Sequence, residues 1–282
     1  MQATPHSAPS SSPRHFDKLL IGMVHVGALP GTPRAEKSVQ DLIDQAVLEA
    51  QILANTGFDG IMIENMHDAP YVNGPHGPEI TSAMTAIVAA VRAAIAPSVR
   101  IGVQILSRGE KEALAVAHAT GADFIRCENF VFAHVADEGL LADAAAGPLL
   151  RYRRHIGATD ILILADIQKK HASHAITADL SLADLAHGAE FFGADAIIVT
   201  GTVTGQPTDP LDVEVARKAT KLPIIVGSGV TPDSVATLFR HADALIVGTA
   251  IKHDAHWSNS VDPVRAQQMV QATKAARNHH NP

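Results

Sequence analysis

"GADFIRC" (121–127) decides the fold, because its pattern returns three more times, as "GFDGIMI" (57–63), "GADAIIV" (193–199) and "HADALIV" (241–247). In each copy Gly or His ends a helical stretch, Asp stands in a short turn, and an apolar run begins. Eight such runs are predicted as strands, at 19–26, 60–65, 100–106, 123–128, 161–167, 196–201, 223–229 and 244–250, and the four copies open the even-numbered ones. The runs are nearly continuous in apolar residues, as expected of parallel strands covered on both faces. Ala-rich amphipathic segments separate them; the fourth, "LLADAAAGPLLRYRRHI" (140–156), is kinked or delayed by Gly147-Pro148. Four matching units fit a single closed (β/α)8 TIM barrel, an α/β fold with helices outside, better than an open doubly wound sheet. Asp59, Asp123, Asp195 and Asp243 then lie at the barrel bottom, where the expected role is stability.

Composition agrees with one large buried core. Of 282 residues 46% are hydrophobic and 18% charged. The formal charge of −7 speaks against a nucleic-acid partner, which needs a basic surface. Cys127 is the single cysteine and excludes an intramolecular disulfide framework or a Cys-based zinc cluster. No apolar run reaches the roughly 18 residues of a membrane span. Residues 1–16 are Ser/Pro/Ala-rich and read as a disordered tail, 17–277 as the barrel, and 278–282 as a frayed end. The cytosol is the expected compartment, and the Ala-rich outer helices are compatible with a homo-oligomer.

In such a barrel the chemistry belongs at the carboxyl ends of the strands, where side chains alternate inward and outward. One parity collects the polar residues there: His25, Glu64, Gln104, Arg126 with Glu128, Asp166 with Lys170, and Thr200 with Thr202. Unpaired charge inside a barrel is costly, so the pattern points to function. "LILADIQKKHASHAITADLS" (162–181) raises the sharpest question, with Asp166 ending an apolar run and Lys169, Lys170, His171 and His174 following. Parity pairs Asp166 with Lys170 at the mouth and turns Lys169 outward. "GSGVTPDSV" (227–235) and "GTAIK" (248–252) follow the seventh and eighth strands, where barrels often hold phosphate. Gly227, Ser228, Gly229, Gly248 and Thr249 are the expected anion contacts, with Thr231-Pro232 starting a helix behind them. Two long loops, "ENMHDAPYVNGPHGPEITSAM" (64–84) and "CENFVFAHVADEGLLADAAAG" (127–147), are candidate lids or walls. Asn65 in the first is a candidate ligand contact; His134 and Asp137 in the second are expected at the surface.

"IGMVHVGALPGTP", "GIMIENMHDAPY", "DIQKKHASHAITAD", "VTGTVTGQPTD" and "IIVGSGVTPDSV…ADALIVGTAIK" resemble the BtpA/SgcQ family of TIM-barrel proteins, over about Lys18 to Ala276. The "CENFVFAHVADEGLL" segment is similar to that of one sub-branch. "QILSRGE" departs from the family, many of whose members have Asn at the place of Gln104 followed by Arg-Asn-Asp. The resemblance implies the barrel and, more widely, a likeness to ribulose-phosphate-binding barrels. One cyanobacterial branch is associated with photosystem I biogenesis and another lies among sugar-metabolism genes. Nothing in this sequence suggests chlorophyll or membrane contact.

Three functions follow. The first is an enzyme acting on a phosphorylated sugar or nucleoside-like small molecule: isomerase, lyase or glycosidic-bond hydrolase. Glu64 and Asp166 are its general acid/base pair, and Lys170 or Arg126 stabilises developing charge. His25 joins these as a catalytic candidate. A Schiff-base mechanism needs a desolvated lysine, and Lys170 lies further out than a strand position. The second is a hydrolase using a divalent metal on His25, Glu64, Asp166 and His171, without an HxH or HExxH spacing to support it. The third is a non-catalytic assembly factor on a barrel scaffold.

Overall fold

The computed structural model describes residues 16–201 and 207–280. Eight parallel strands close a barrel in chain order: β1 Leu19–His25, β2 Gly60–Glu64, β3 Arg100–Gln104, β4 Phe124–Cys127, β5 Leu162–Asp166, β6 Ala196–Val199, β7 Ile224–Val226 and β8 Ala244–Val247. Helices follow each strand outside: α1 Val39–Thr56, α2 Pro78–Ala94, α3 Glu110–Thr120, α4 Ala146–His155, α5 Leu182–Phe191, α6 Pro210–Ala219, α7 Val235–Leu238 and α8 Pro263–His280. Sequence encodes the helix starts locally. Ser38 and Asp41 form a reciprocal capping box at α1, as do Ser181 and Asp184 at α5. One apolar cluster fills the space between sheet and helices; a second, including Met23, Met62, Phe124, Leu164, Ile198, Ile225 and Ile246, fills the barrel itself.

The repeated aspartates do one job four times. Asp59 accepts a hydrogen bond from the Leu20 N–H (2.8 Å), Asp123 from Ile101 (2.8 Å), Asp195 from Ile163 (2.9 Å) and Asp243 from Ile224 (2.7 Å). Each even strand thus fixes the first turn of entry of the odd strand before it. Three of the four also meet an arginine: Arg277 at Asp59, Arg153 at Asp195 and Arg217 at Asp243.

Several boundaries differ from the sequence reading. Phe16, assigned to the tail, is buried and belongs to the interior cluster. Residues 278–280, read as a frayed end, continue α8. Helix α4 starts only at Ala146, because residues before it leave the barrel as a hairpin of strands at 134–136 and 139–141. A two-residue strand at 172–173 adds to it, making a small antiparallel sheet from the loops after β4 and β5. Helix α7 has only four residues, with Thr231 to Ser234 forming a turn in front of it. Residues 1–15, Thr202 and residues 281–282 lie outside the described residues. Among the described residues no helix is long and apolar enough to cross a membrane.

Candidate active site

The alternation that packs the barrel interior continues upward to one last inward position on each strand. These eight positions are His25, Glu64, Gln104, Arg126, Asp166, Thr200, Gly227 and Gly248, so the expected ring of polar residues is present at one mouth. The two glycines leave the ring without side chains on the β7–β8 side, and there the mouth opens into a cavity of about 730 Å³. Ser228, Gly229, Thr249, Lys170 and Trp257 line it beside His25, Glu64 and Arg126. A smaller cavity of about 260 Å³ shares Glu64, Arg126, Lys170 and Trp257 and extends toward Tyr71, Glu128, Asp137 and His171.

Arg126 and Asp166 form a buried two-point ion pair, Nη2 to Oδ2 at 2.9 Å and Nε to Oδ1 at 3.1 Å. Burial opposes the charge on Arg126, but Asp166 outweighs it and holds the guanidinium above its ordinary pKa. This corrects the expected Asp166–Lys170 pair: β4 and β5 are neighbours in the barrel, and Arg126 reaches the carboxylate first. Both Asp166 oxygens are therefore engaged. Gly227 lies against this pair, since a Cβ there would stand 3.5 Å from Arg126 Nη2 and 2.7 Å from Ile198 Cγ2.

Across the ring His25 and Glu64 meet, Nε2 to Oε2 at 3.5 Å. The Trp257 carbonyl lies 2.8 Å from His25 Nδ1. A carbonyl only accepts, so Nδ1 carries the hydrogen and Nε2 faces Glu64 as a lone pair. Burial, then the charge of Lys252, pulls His25 down to about 3, so the ring is neutral at physiological pH. Burial pushes the Glu64 carboxyl up to about 7, against the pull of Arg126 and Lys170. A carboxyl poised there can give or take a proton near neutrality. Lys252 is itself wholly buried and pairs with Glu49 at 2.7 Å, tying the segment after β8 to α1.

The adjacent lysines part company. Lys169, expected outward, is buried between Glu138 (2.8 Å) and Glu128 (3.3 Å). Burial pulls it down, but the two carboxylates win and hold it above the usual lysine range. Glu138, at the tip of the hairpin, also accepts from Ser107 after β3, so it clasps three loops together. Lys170 joins no ion pair among the described residues and forms part of both cavity walls. Burial, then the nearby Arg126 charge, lowers its pKa.

The remaining candidates divide. Gln104 is buried, and neither amide atom has a hydrogen-bond partner among the described residues. Thr200 donates to the Gln168 carbonyl at 3.0 Å. Asn65 is in the lining of neither cavity: it is wholly buried and its amide binds Asp68 and both backbone groups of Leu106, fastening the β2 loop to the β3 loop. His134, expected at the surface, is buried, its Nε2 has no partner among the described residues, and burial, then Lys169, lowers it to about 4. Asp137 is exposed, as expected, and borders the smaller cavity. The four residues named for a metal do not form a coordination set; among the described residues no group of three or more His, Cys, Asp or Glu side chains does. The glycine loops offer donors instead. The N–H groups of Gly229, Val230, Thr249 and Ala250 have no backbone acceptor among the described residues, and all four residues line the large cavity. Helix α7 adds little behind them, because it is short and the Thr231 N–H is already taken by Ser234 Oγ at 3.0 Å. Trp257 escaped the sequence reading. Its one signal was being the sole tryptophan, placed shortly after a strand-end loop.

Eight strands closed in order, with charged groups ringed at their carboxyl ends, define a TIM-barrel protein with a polar mouth. The chain belongs to the BtpA family, whose model matches residues 16–275. A mitochondrial protein of Caenorhabditis elegans, named as uncharacterized, is 41% identical over 255 residues, covering 89% of this chain and 91% of its own. The photosystem I biogenesis protein BtpA of Synechocystis is 36% identical over 255 residues, 90% of this chain and 87% of its own. Among solved structures, thiamine phosphate pyrophosphorylase from Pyrococcus furiosus aligns over 93% of this chain and 98% of its own, with a TM-score of 0.55 and 14% identity. N-(5′-phosphoribosyl)anthranilate isomerase from the same organism aligns over 92% and 99%, at 0.55 and 13%. At such identities they speak for the fold alone.

Proposed function

We propose that the protein is an enzyme acting on a phosphorylated small molecule, with proton transfer by Glu64. One observation carries the reading: a single cavity is lined both by the β7 and β8 loops, whose N–H donors have no backbone acceptor among the described residues, and by a buried carboxyl facing a neutral histidine. The loops suit a phosphate, whose oxygens would satisfy those donors. Glu64 would then move a proton at the part of the substrate nearest the ring. His25, neutral, would orient the protonated Glu64 carboxyl through the lone pair of Nε2. Arg126, fixed by Asp166, would stabilise negative charge developing on a substrate oxygen. Asp166 thus acts as a positioning residue rather than an acid or base. The solved neighbours whose names speak of phosphate-bearing compounds support the substrate class by analogy of fold. The buried charges at the mouth favour an enzyme over an assembly factor, because a scaffold gains nothing from them.

The test is calorimetric titration with ribose 5-phosphate, ribose and inorganic phosphate. Binding of both phosphate-bearing probes, with none of ribose, is expected. Equal affinity for ribose and ribose 5-phosphate would remove the phosphate from the reading.

A further inference from the structure

We propose that Lys170 is the nucleophile of this site and forms a Schiff base with the carbonyl group of a phosphorylated aldehyde or ketone. The inference rests on the phosphate reading above for its substrate and deepens it by naming the carbonyl. Two consecutive lysines provide the argument. Lys169 is held by Glu128 and Glu138 and does the structural work of closing the hairpin onto the barrel. Lys170 has no such partner among the described residues, yet it stands in the wall common to both cavities. A lysine on this loop needed only for charge or for packing would be expected to find a carboxylate, and four acids of the same mouth are taken elsewhere or protonated. Asp166 is engaged by Arg126, Glu128 and Glu138 by Lys169, and Glu64 faces His25.

The same surroundings favour a neutral amine. Burial disfavours the ammonium form, and the Arg126 guanidinium is a like charge nearby. Glu64 supplies the other requirement, an acid able to help the carbonyl oxygen leave. The step balances as follows. The neutral Nζ forms a C–N bond to the carbonyl carbon while the C=O π pair moves to oxygen. That oxygen collects one proton from the nitrogen and one from Glu64 and departs as water. A protonated imine and the Glu64 carboxylate remain. Sequence spacing put Lys170 too far beyond β5 for this chemistry. The chain after Asp166 does not continue as a strand, however: Gln168 is exposed, Lys169 is buried and His171 has φ +55°, so the backbone turns Lys170 back over the ring.

The experiment is reductive trapping on the intact protein. Pyridoxal 5′-phosphate, which joins an aldehyde to a phosphate, and pyridoxal, which lacks the phosphate, are each added with sodium borohydride, and the modified lysines are mapped by peptide mass spectrometry. Lys170 is expected to be modified by pyridoxal 5′-phosphate at least tenfold faster than the exposed Lys221 and Lys274, and faster still than the clamped Lys169, with inorganic phosphate slowing the reaction. Rapid modification of Lys170 by both aldehydes, without protection by phosphate, would sustain the nucleophile and sink the phosphate reading. Modification of Lys170 no faster than that of the exposed lysines, while calorimetry still shows phosphate bound, would overturn the nucleophile and leave the phosphate reading intact. A Lys170→Arg variant should lose the fast site and keep phosphate binding. The wild-type map decides the matter even if that variant does not fold.

Discussion

His25 Nε2 stands 3.5 Å from Glu64 Oε2 while the opposite ring nitrogen is anchored on the Trp257 carbonyl. Burial keeps the histidine neutral, the Trp257 carbonyl turns its lone pair toward the acid, and Glu64 titrates near neutrality. In Glu64→Gln the group that carries the proton is gone while its volume stays. Turnover of a substrate, once in hand, should fall by about 10²–10⁴-fold, and the limb of the pH profile near 7 should vanish.

Glu64 also leaves a signature in stability. Its folded pKa lies above the ordinary value of 4.5, at about 7, so the folded chain keeps a proton that the unfolded chain releases across that interval. Its contribution to stability is therefore present below 4.5 and lost as pH rises toward 7. Glu64→Gln lacks this loss. Between pH 5 and pH 8 the variant should gain on wild type by roughly 1–3 kcal/mol in urea unfolding. Glu110, raised to about 7 mainly by burial, shifts both proteins alike and cancels in the comparison. A constant difference between the two proteins across that range would place the Glu64 carboxyl in the ordinary range.

Asp166→Asn should be strongly destabilising, by about 3–5 kcal/mol, because Arg126 is left buried and charged without its two-point partner. Arg126→Met combined with Asp166→Leu should restore most of the loss. Chemical denaturation of the single and double variants measures both. A single variant as stable as wild type would mean that Arg126 finds another acceptor.

Gly229 has φ +64°, a left-handed conformation, in a loop lining the cavity whose N–H donors have no backbone acceptor among the described residues. Gly229→Val should weaken binding of ribose 5-phosphate by about 1–3 kcal/mol, as donors lose their acceptor. The sole tryptophan, Trp257, lines the same cavity, so its fluorescence reports the titration without a label. Unchanged affinity in a folded variant would take this loop out of the site.

At the other end, Asp123→Ala should cost about 1–3 kcal/mol of stability by leaving the Ile101 N–H without its 2.8 Å acceptor. Ligand affinity should not move. A loss of binding larger than the loss of folded protein would contradict the division of labour between the two ends.

The strands, their order and the floor aspartates were legible in the sequence because a repeated motif and a two-residue alternation are local properties. The same alternation located His25, Glu64, Gln104, Arg126, Asp166 and Thr200 at one mouth. It failed one step later, where strand geometry ends. Lys170 reaches the mouth as expected, but Lys169, expected outward, is buried between two carboxylates because the chain past Asp166 turns, and parity has no meaning in a turn. Arg126 as the partner of Asp166 was hidden for another reason: it depends on which strands adjoin, and 40 residues separate the two in the chain. The loop-fastening bonds of Asn65 were not legible, because a polar residue beside a mouth and a polar residue fastening two loops look alike in sequence. Trp257 was overlooked because it lies in a short irregular excursion after β8, where no periodicity marks it.

The floor aspartates also divide the molecule in a way its mouth does not reveal. For its backbone donor each reaches back to the strand just before its own, so every such backbone bond lies within one quarter of the chain: β1 with β2, β3 with β4, β5 with β6, β7 with β8. A circularly permuted chain opened ahead of β3, β5 or β7 severs none of them, whereas one opened between α1 and β2 separates Asp59 from Leu20. The seam ahead of β3 is the most permissive, because Arg153 on α4 and Arg217 on α6 bridge the other two to Asp195 and Asp243. Arg277 on α8, which donates to the Lys18 carbonyl at 2.9 Å and meets Asp59, closes the ring where the last quarter returns to the first.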